Sequence, residues 1–324
     1  MNFFKKSFVL LTTLLFTLSS VGCSKNQVST SDETKLPKEI NISYVKAPLN
    51  VPSIVEKNKQ LFENEFSSDG IEINYPEITS GSKMTEAVAG GSLDFCNAIG
   101  ATSVILAAAN GVDIKIIGVY SRAPKAFTIM AKDPNIKSMK DLKGKKIVGP
   151  KGTILHQLLI GALVKEDLTI DDVEFINMDI SSGVSALLSD NADAVLVAGS
   201  ATDNLLENGA HVITTGEGIL DATIVIAASG EFINTYPDIV KRYLKVHAES
   251  LEFMKENPEE TFELTSTETE LSLEQVENMY ALYNFDPTIS ENDIKELEKT
   301  QDFLVENEML TKTVDINSLI AEIK

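Results

Sequence analysis

The segment IEINYPEITSGSKMTEAVAGGSLDFCNA (71–98) is echoed later in the chain by VEFINMDISSGVSALLSDNADAVLVA (173–198). Each copy contains an apolar run, an acidic turn, a Ser-Gly pair at a helix start, an amphipathic helix, and an aspartate before a second apolar run. The serine of the pair precedes that aspartate by 14 residues in the first copy and by 11 in the second, which differ by about one helical turn. The repetition predicts two lobes of similar architecture.

Short apolar runs alternate with helical patterns on both sides of this repeated pair. Strands are predicted at 40–45, 71–75, 93–98, 114–120, 127–132, 146–149, 173–177, 194–198, 211–215 and 223–228. Helical patterns between them cover 84–89, 102–110, 154–165, 184–188 and 201–207. Such alternation indicates an α/β protein with largely parallel sheets and helices on both faces. After Gly230 no strand pattern follows, which predicts a helical C-terminal part.

The N-terminus carries an export signal. Lys5 and Lys6 precede an apolar run over 8–18, which is too short for a permanent membrane span, and small residues lead up to Cys23. This resembles a bacterial lipobox, although Ser20 occupies a place usually held by Leu. We therefore expect a signal peptide over 1–22, an acylated Cys23, a polar tether over 23–37, and a protein held by lipid alone on the extracellular side of the cytoplasmic membrane. An ordinary signal peptide with an incidental cysteine is the alternative.

Charge and residue counts exclude several classes of function. The chain has 28 basic and 48 acidic residues, and removal of 1–22 takes away two lysines and leaves a net charge of −22. This excess argues against nucleic acid and anionic membrane surfaces as partners. Three scattered histidines give no metal or triad spacing, and we expect no metal, no cofactor and no enzyme activity. Cys96 lies in an apolar segment, which favours a buried thiol.

Six strand-to-helix junctions are the candidate ligand-binding elements. In α/β sheets, ligands bind at the carboxyl ends of strands, where helix N-termini present free N–H groups. All six junctions combine small residues with hydroxyl or amide side chains, a composition that also serves ordinary helix capping. They are Ala47-Pro48-Leu49-Asn50, Ser80-Gly81-Ser82, Gly100-Ala101-Thr102, Pro150-Lys151-Gly152-Thr153, Ser181-Ser182-Gly183 and Ala198-Gly199-Ser200.

Three runs carry a family resemblance: AVAGGSLDF (87–95) with GATSVILAAANGVDIKIIGV (100–119), SMKDLKGKKIV (138–148), and PKGTILHQLLIGAL (150–163). They resemble the aliphatic-sulfonate, taurine and nitrate solute-binding proteins. The resemblance implies a type II periplasmic-binding-protein fold, with two Rossmann-like lobes and two crossovers. It places lobe one at 38–121 plus 227–324 and lobe two at 122–226, and the cleft loops at 48–50, 100–102, 151–156 and 199–200.

The chain departs from this family in two places. Ala101 stands where many relatives have an acidic residue, and Val197-Ala198-Gly199 replaces an aromatic-acidic-proline turn. The chain has no Trp, so we expect a pocket of small residues with Tyr44, Tyr120 or Phe127 nearby.

Four charged or ionisable residues near the loops have two interpretations each. Lys151 meets a ligand anion or is solvated, and His156 contacts ligand or has a core or capping role. Arg122 is a ligand clamp or an ion pair that braces the crossover. Asp221 binds a ligand ammonium group or is an exposed loop carboxylate.

The predicted function is that of the substrate-binding component of an ABC importer. Its expected partners are a small-molecule ligand and a permease with a cytoplasmic ATPase, and the protein is expected to be a monomer. A small anion such as a sulfonate is the first choice of ligand. The alternatives are a neutral or cationic heterocycle such as a thiamine pyrimidine precursor, and a sensing lipoprotein without a permease.

Overall fold

The computed structural model describes residues 36–46 and 49–323. Each predicted strand segment contains a strand. The strands are β1 Glu39–Asn41, β2 Glu72–Asn74, β3 Phe95–Gly100, β4 Ile114–Arg122, β5 Phe127–Ala131, β6 Lys146–Gly149, β7 Glu174–Asn177, β8 Ala194–Ala198, β9 His211–Thr215 and β10 Thr223–Ser229.

The two helices of the repeat, α3 and α6, begin about one turn before the predicted patterns, whereas α5 begins at the predicted residue 154. The helix α3, for example, begins at Gly81, whereas the apolar pattern begins at residue 84. The helices are α1 Val51–Asn58, α2 Leu61–Phe66, α3 Gly81–Ala89, α4 Ala101–Ala109, α5 Ile154–Val164, α6 Ile180–Leu188, α7 Ser200–Glu207, α8 Gly230–Thr235, α9 Pro237–Glu256, α10 Pro258–Thr269, α11 Leu273–Tyr280, α12 Glu291–Glu306 and α13 Ile316–Leu319.

Two sheets share one strand order. The second sheet runs β7-β6-β8-β5-β9. In the first half, β1 pairs with β2, and β10 lies between β3 and β4. A parallel bridge from Ile42 to Phe95, with the Ser43 amide donating to the Phe95 carbonyl at 2.9 Å, joins these pieces as β2-β1-β3-β10-β4. In each sheet the order is second, first, third, inserted and fourth strand, and the inserted strand (β10 or β5) is the first one after a crossover.

The sheets are largely parallel, as predicted, with one antiparallel strand inserted in each. β5 runs antiparallel to β8 and β9, and β10 runs antiparallel to β3 and β4. A strand returns in the parallel sense only after a long connection such as a helix, whereas β5 follows β4 through a few residues. The return to the first sheet begins at Thr223, where β10 starts, rather than at residue 227.

The repeated aspartates have equivalent positions in the two sheets. Asp94 accepts a hydrogen bond from the Asn41 amide of β1 at 2.8 Å, and Asp193 accepts one from the Lys146 amide of β6 at 2.8 Å. In both sheets the carboxylate ties the start of the third strand to the first strand. The repetition seen in the sequence is therefore a repetition of structure.

The strand order brings six helix N-termini to one side of the sheets. α1, α3 and α4 follow β1, β2 and β3, whereas α5, α6 and α7 follow β6, β7 and β8. After β10 the chain is helical, and α9 packs Tyr243 flat on Phe95 with ring centroids 4.0 Å apart. Within the described ranges, no helix is both long and apolar enough to cross a membrane.

Candidate functional site

A cavity, called here the inner cavity, lies where the carboxyl ends of the two sheets face each other. Its volume is about 100 Å³. It opens into a larger outer cleft of about 700 Å³, with which it shares Val45, Thr79, Ser80, Pro150, Ile180 and Ala198. The other residues that line the inner cavity are Asn50, Gly81, Met84, Ala98, Gly100, Ser103, Phe127, Thr153, Ile154, Leu155 and Ile224.

The helix N-termini around this space leave backbone donors available. Ser80, Gly100 and Thr153 are the N-cap residues of α3, α4 and α5, and none accepts a hydrogen bond from the first turn of its helix. The Thr153 hydroxyl instead donates to the Pro150 carbonyl at 2.8 Å. Because a helix begins with N–H groups that lack intrahelical partners, these three termini offer donors and positive dipole ends to an anion.

Helices elsewhere in the fold are of both kinds: α2, α9 and α10 have no side-chain cap, whereas α8, α11, α12 and α13 do. Ser229, Ser272, Ser290 and Asp315 accept hydrogen bonds from the first turns of α8, α11, α12 and α13. Around the cleft, α6 is the exception, since Asp179 accepts from the Ser182 amide. What distinguishes α3, α4 and α5 is that their uncapped N-termini all border the inner cavity.

Charge differs sharply between the inner cavity and the outer cleft. The described residues that line the inner cavity include no Asp, Glu, Lys, Arg or His. The outer cleft is bordered by Asp179, Asp203, Glu207 and Glu270. Burial, followed by the nearby Glu207, raises the pKa of Asp203 above its usual value. A ligand anion must therefore be held by backbone dipoles, with its other end near an acidic rim.

The two halves touch between α4 and α5. The Ser103 hydroxyl donates to the Gly152 carbonyl at 2.9 Å, and the Thr102 hydroxyl donates to the Gln157 side-chain oxygen. A Cβ atom at Gly100 would lie 2.9 Å from Ile154 Cγ1, which is closer than carbon atoms normally approach. Glycine at this position permits the close contact.

The Lys151-Gly152-Thr153 junction contributes backbone N–H groups to the site rather than a positive charge. The Lys151 side chain is exposed and does not line the cavity, which removes the positive charge that the sequence analysis assigned to the junction. The Gly152 amide donates to His156 Nδ1 at 3.3 Å, and the His156 ring stacks on Phe175. Burial, with a smaller effect from Lys151, lowers the pKa of His156 to about 4. His156 therefore has the capping and core position that was its alternative.

Arg122 lies in a brace and is not a ligand clamp. Its Nε donates to Asp293 at 2.6 Å, and its other nitrogens donate to the carbonyls of Asp286 and Thr288 at 3.0 and 2.9 Å. The guanidinium thus joins the end of β4 to the segment before α12. Of its two interpretations, the structure supports the ion pair that braces the crossover.

The remaining predicted residues are divided among several places. Asp221 lines a separate cavity of about 220 Å³ together with Ala101, Thr102, Glu296 and Lys299. Burial, followed by Glu296, raises the pKa of Asp221. Asn50, Gly81, Gly100 and Thr153 line the inner cavity, Ser200 lines the outer cleft, and Leu49 is fully buried. Pro48 and Cys23 lie outside the described residues.

The apolar wall was largely missed by sequence reasoning. Phe127 lines the inner cavity, but Tyr44 and Tyr120 are buried and hydrogen-bonded to Glu268 and Ser53. Ile154, Ile180 and Ile224 face the inner cavity although the sequence analysis did not select them. The sequence around an isoleucine next to a junction does not indicate whether its side chain lines a cavity or packs in the core.

The Arg122 brace gives a prediction about stability and pH. We expect Arg122→Gln to lower the free energy of unfolding by about 1.5–3 kcal/mol at neutral pH, because Asp293 is 3% exposed and loses a charged partner. Burial raises the pKa of Asp293, but the hydrogen bonds from Arg122 and Ser290 outweigh it and leave the pKa below its usual value.

Because the folded-state pKa of Asp293 is lowered, its stabilisation is present above the unfolded pKa and is lost as the pH falls through the folded pKa. Urea unfolding of both proteins should therefore show a difference that shrinks below about pH 4. A difference that stays constant down to pH 2 contradicts the brace.

Comparison with known proteins gives a consistent result. The family described as NMT1/THI5 like matches residues 51–261. A putative aliphatic sulfonates-binding protein of Bacillus subtilis (strain 168) is 30% identical over 98% of this chain and 94% of its own length. A protein of the same description from Escherichia coli (strain K12) is 29% identical over 61% of this chain and 63% of its own length.

Solved structures show the same fold. The alkanesulfonate-binding protein SsuA of Xanthomonas axonopodis pv. citri, bound to MOPS, has a TM-score of 0.80 at 22% identity and covers 88% of this chain and 98% of its own. The periplasmic aliphatic sulphonate binding protein SsuA of Escherichia coli has a TM-score of 0.73 at 24% identity with the same coverage. The predicted two-lobed α/β fold is confirmed.

Proposed function

The chain belongs to the NMT1/THI5-like family, and on this premise we propose that it is the extracytoplasmic substrate-binding component of an ABC importer. The ligand is a small anion of the sulfonate, taurine and nitrate class, bound in the inner cavity. The full-length similarity to a protein named for aliphatic sulfonates supports this class.

One observation carries the proposal: three helix N-termini without side-chain caps face a cavity whose described lining has no ionisable side chain. A sulfonate has one negative charge spread over three oxygens, which suits several backbone donors better than a single point charge. Its carbon tail has apolar surface to contact at Met84, Ile154 and Ile224. A dianion has less support, because the rim is acidic.

Binding is proposed to close two lobes around the ligand, lobe one of 38–121 with 223–324 and lobe two of 122–222, with the return to lobe one placed where β10 starts. The crossovers between β4 and β5 and between β9 and β10 link the two sheets. Hinge closure about such links is a common response to ligands. The hydrogen bond from Ser103 to Gly152 is an interlobe contact that closure makes or preserves.

The protein is proposed to be a monomer anchored through acylated Cys23 on the outer face of the cytoplasmic membrane. There it delivers ligand to a permease with a cytoplasmic ATPase. The matched relatives are named as binding proteins. Cys96 is fully buried, and burial raises the pKa of its thiol, which argues against a nucleophilic role.

The acidic rim favours a second candidate ligand, a neutral or cationic heterocycle. Asp203 and Glu270 border the outer cleft, and Lys151 does not line it. These carboxylates attract a cation and repel an anion. The remaining alternative, a sensing lipoprotein without a permease, depends on neighbouring genes and not on this site.

A thermal-shift screen of residues 38–324 separates the two ligand classes. We expect a short alkanesulfonate at 100 times its dissociation constant to stabilise the fold by about 2.7 kcal/mol and to raise Tm by about 5–10 °C. The screen includes ethanesulfonate, taurine, nitrate, a pyrimidine and amino acids. A shift with the pyrimidine and none with any anion contradicts the sulfonate proposal.

Asp203→Asn provides the matched charge test, since it keeps the side-chain shape and removes one rim charge. It should tighten a bound sulfonate about two- to fivefold at low salt and weaken a cationic ligand by a similar factor. Lys151→Ala serves as the control and should leave both affinities within twofold, because its side chain is exposed outside the cavity.

A further inference from the structure

Ala98 has an unusual backbone conformation at the wall of the inner cavity. Its φ is +61°, in the left-handed region that non-glycine residues rarely adopt. It lies within β3, where the pairing with β10 shifts: Ile99 pairs with Val225 and Cys96 with Ala227. Two residues of β3 therefore stand opposite one residue of β10, which is a β-bulge. The bulge precedes Gly100, the N-cap of α4, and so directs the cavity-facing backbone.

Asn97, the other bulge residue, is 2% exposed and bonded on both sides of its backbone and through its side chain. The backbone of Asn97 is bonded twice to one side chain. The Asn97 N–H donates to the Ser43 hydroxyl at 2.9 Å, and that hydroxyl donates to the Asn97 carbonyl at 3.1 Å. Its side-chain nitrogen donates to Glu56 at 2.8 Å and to the Ser53 hydroxyl at 3.0 Å. The carboxylate of Glu56 accepts only, which fixes the orientation of the amide.

Glu56 is in turn held by α9. Its carboxylate accepts from His247 Nδ1 at 2.7 Å and from the Ser250 hydroxyl at 3.2 Å, and both Glu56 and His247 are almost fully buried. The members of this buried network hydrogen-bond to one another, although Asn97 Oδ1 and His247 Nε2 have no partner among the described residues, and loss of one member is costly. The network also reaches β4, since the Ser53 amide of α1 donates to the Tyr120 hydroxyl at 3.1 Å.

We propose that Asn97, held by Glu56 and His247, is a positioning residue that keeps the bulge at Ala98 in its left-handed conformation and thereby aims the backbone of residues 98–100 at the ligand. Ala98 has a side chain that disfavours this conformation, so an external restraint must hold it. The choice of a sulfonate as the probe rests on the proposed function. The positioning of the bulge does not.

The test combines removal of the restraint with relief of the strain. Asn97→Ala should weaken ethanesulfonate binding about tenfold by titration calorimetry. Adding Ala98→Gly should restore the affinity to within about threefold of wild type, because glycine adopts the left-handed region without restraint. Ala98→Gly alone supplies the reference affinity for the double variant. Glu308→Gly, at a second positive-φ residue away from the cavity, is the control and should not rescue Asn97→Ala.

If Asn97 only stabilised the fold, Asn97→Ala would weaken ligand binding, and adding Ala98→Gly would not restore the affinity. Wild-type affinity in Asn97→Ala, or equally weak binding in the double variant, overturns the proposal. If Asn97→Ala does not fold, Glu56→Gln removes one bond of the network and takes its place in both backgrounds.

Hydrogen–deuterium exchange of the amides of 98–100 in ligand-free protein gives a readout that needs no ligand. Exchange should accelerate about tenfold in the single variant and return towards wild type in the double variant. Unchanged exchange overturns the positioning role even if no sulfonate binds, whereas failure of sulfonate binding with the expected exchange pattern overturns only the proposed function.

Discussion

Replacement of Gly100 by valine should abolish tight ligand binding, with a loss of affinity of at least about a hundredfold. A Cβ at this position would lie 2.9 Å from Ile154 Cγ1 and 3.0 Å from its Cδ1, across the contact between α4 and α5. The branched side chain therefore forces the two halves apart, and the fraction of molecules in the closed form falls. A hundredfold loss corresponds to about 2.7 kcal/mol.

Titration calorimetry with the best ligand of the screen measures this effect. Side chains of different size at positions 100 and 154 test whether steric contact is its cause. Gly100→Ala should weaken binding about tenfold, and Ile154→Ala in the same chain should recover part of that loss because it removes the obstructing carbons. Gly118→Ala is the matched control, since a Cβ atom there would lie 3.7 Å from Leu244 Cδ2, an ordinary van der Waals distance. Undiminished affinity in Gly100→Val would show that the α4–α5 contact is not part of the ligand-bound state.

Replacement of Cys23 by serine should remove the protein from the membrane fraction altogether. A serine hydroxyl does not replace the thiol that receives the lipid, and acyl chains on one residue are the only membrane attachment proposed for this chain. We expect the variant to appear in the medium or to remain as an unprocessed precursor. Fractionation with and without detergent, followed by mass measurement of the N-terminus, distinguishes the two outcomes.

Cys96→Ser is the control for the anchor, because Cys96 is fully buried within β3. It should remain in the membrane fraction and release only with detergent. A correctly processed Cys23→Ser protein that still needs detergent would contradict lipid anchoring and point to another attachment.

Sequence reasoning found the elements of this fold because strand and helix signals are local. The segments 114–120 and 194–198 are dense in β-branched and apolar residues, and they form β4 and β8. The repeat could be recognised because Asp94 and Asp193 perform the same backbone contact in each sheet. Its helix starts were placed too late, since the first turns face the cavity and lack apolar periodicity.

The functional assignments of charged residues depended on distance, which a sequence does not contain. Arg122 and Lys151 stand near predicted loops in the chain, yet one is bonded to Asp293 and the other points to solvent. Ionisable groups take the partner that is nearest in space, and for Arg122 that partner is 171 residues away. Because Arg122 and Lys151 are close to predicted junctions along the chain, the sequence analysis gave too much weight to ligand binding by their side chains.

What the sequence determined by itself was the order of strands and helices, the duplication and the family. These follow from hydrophobic periodicity, turn residues and motifs, which act over a few neighbouring residues. Only the tertiary structure decided which helix N-termini share a cavity, that β5 and β10 insert antiparallel, and that Asn97 restrains a strained Ala98 through Glu56 and His247. The reason is physical: pairing, burial and strain arise between residues far apart in the chain, and their energies are set by the packing of the whole fold.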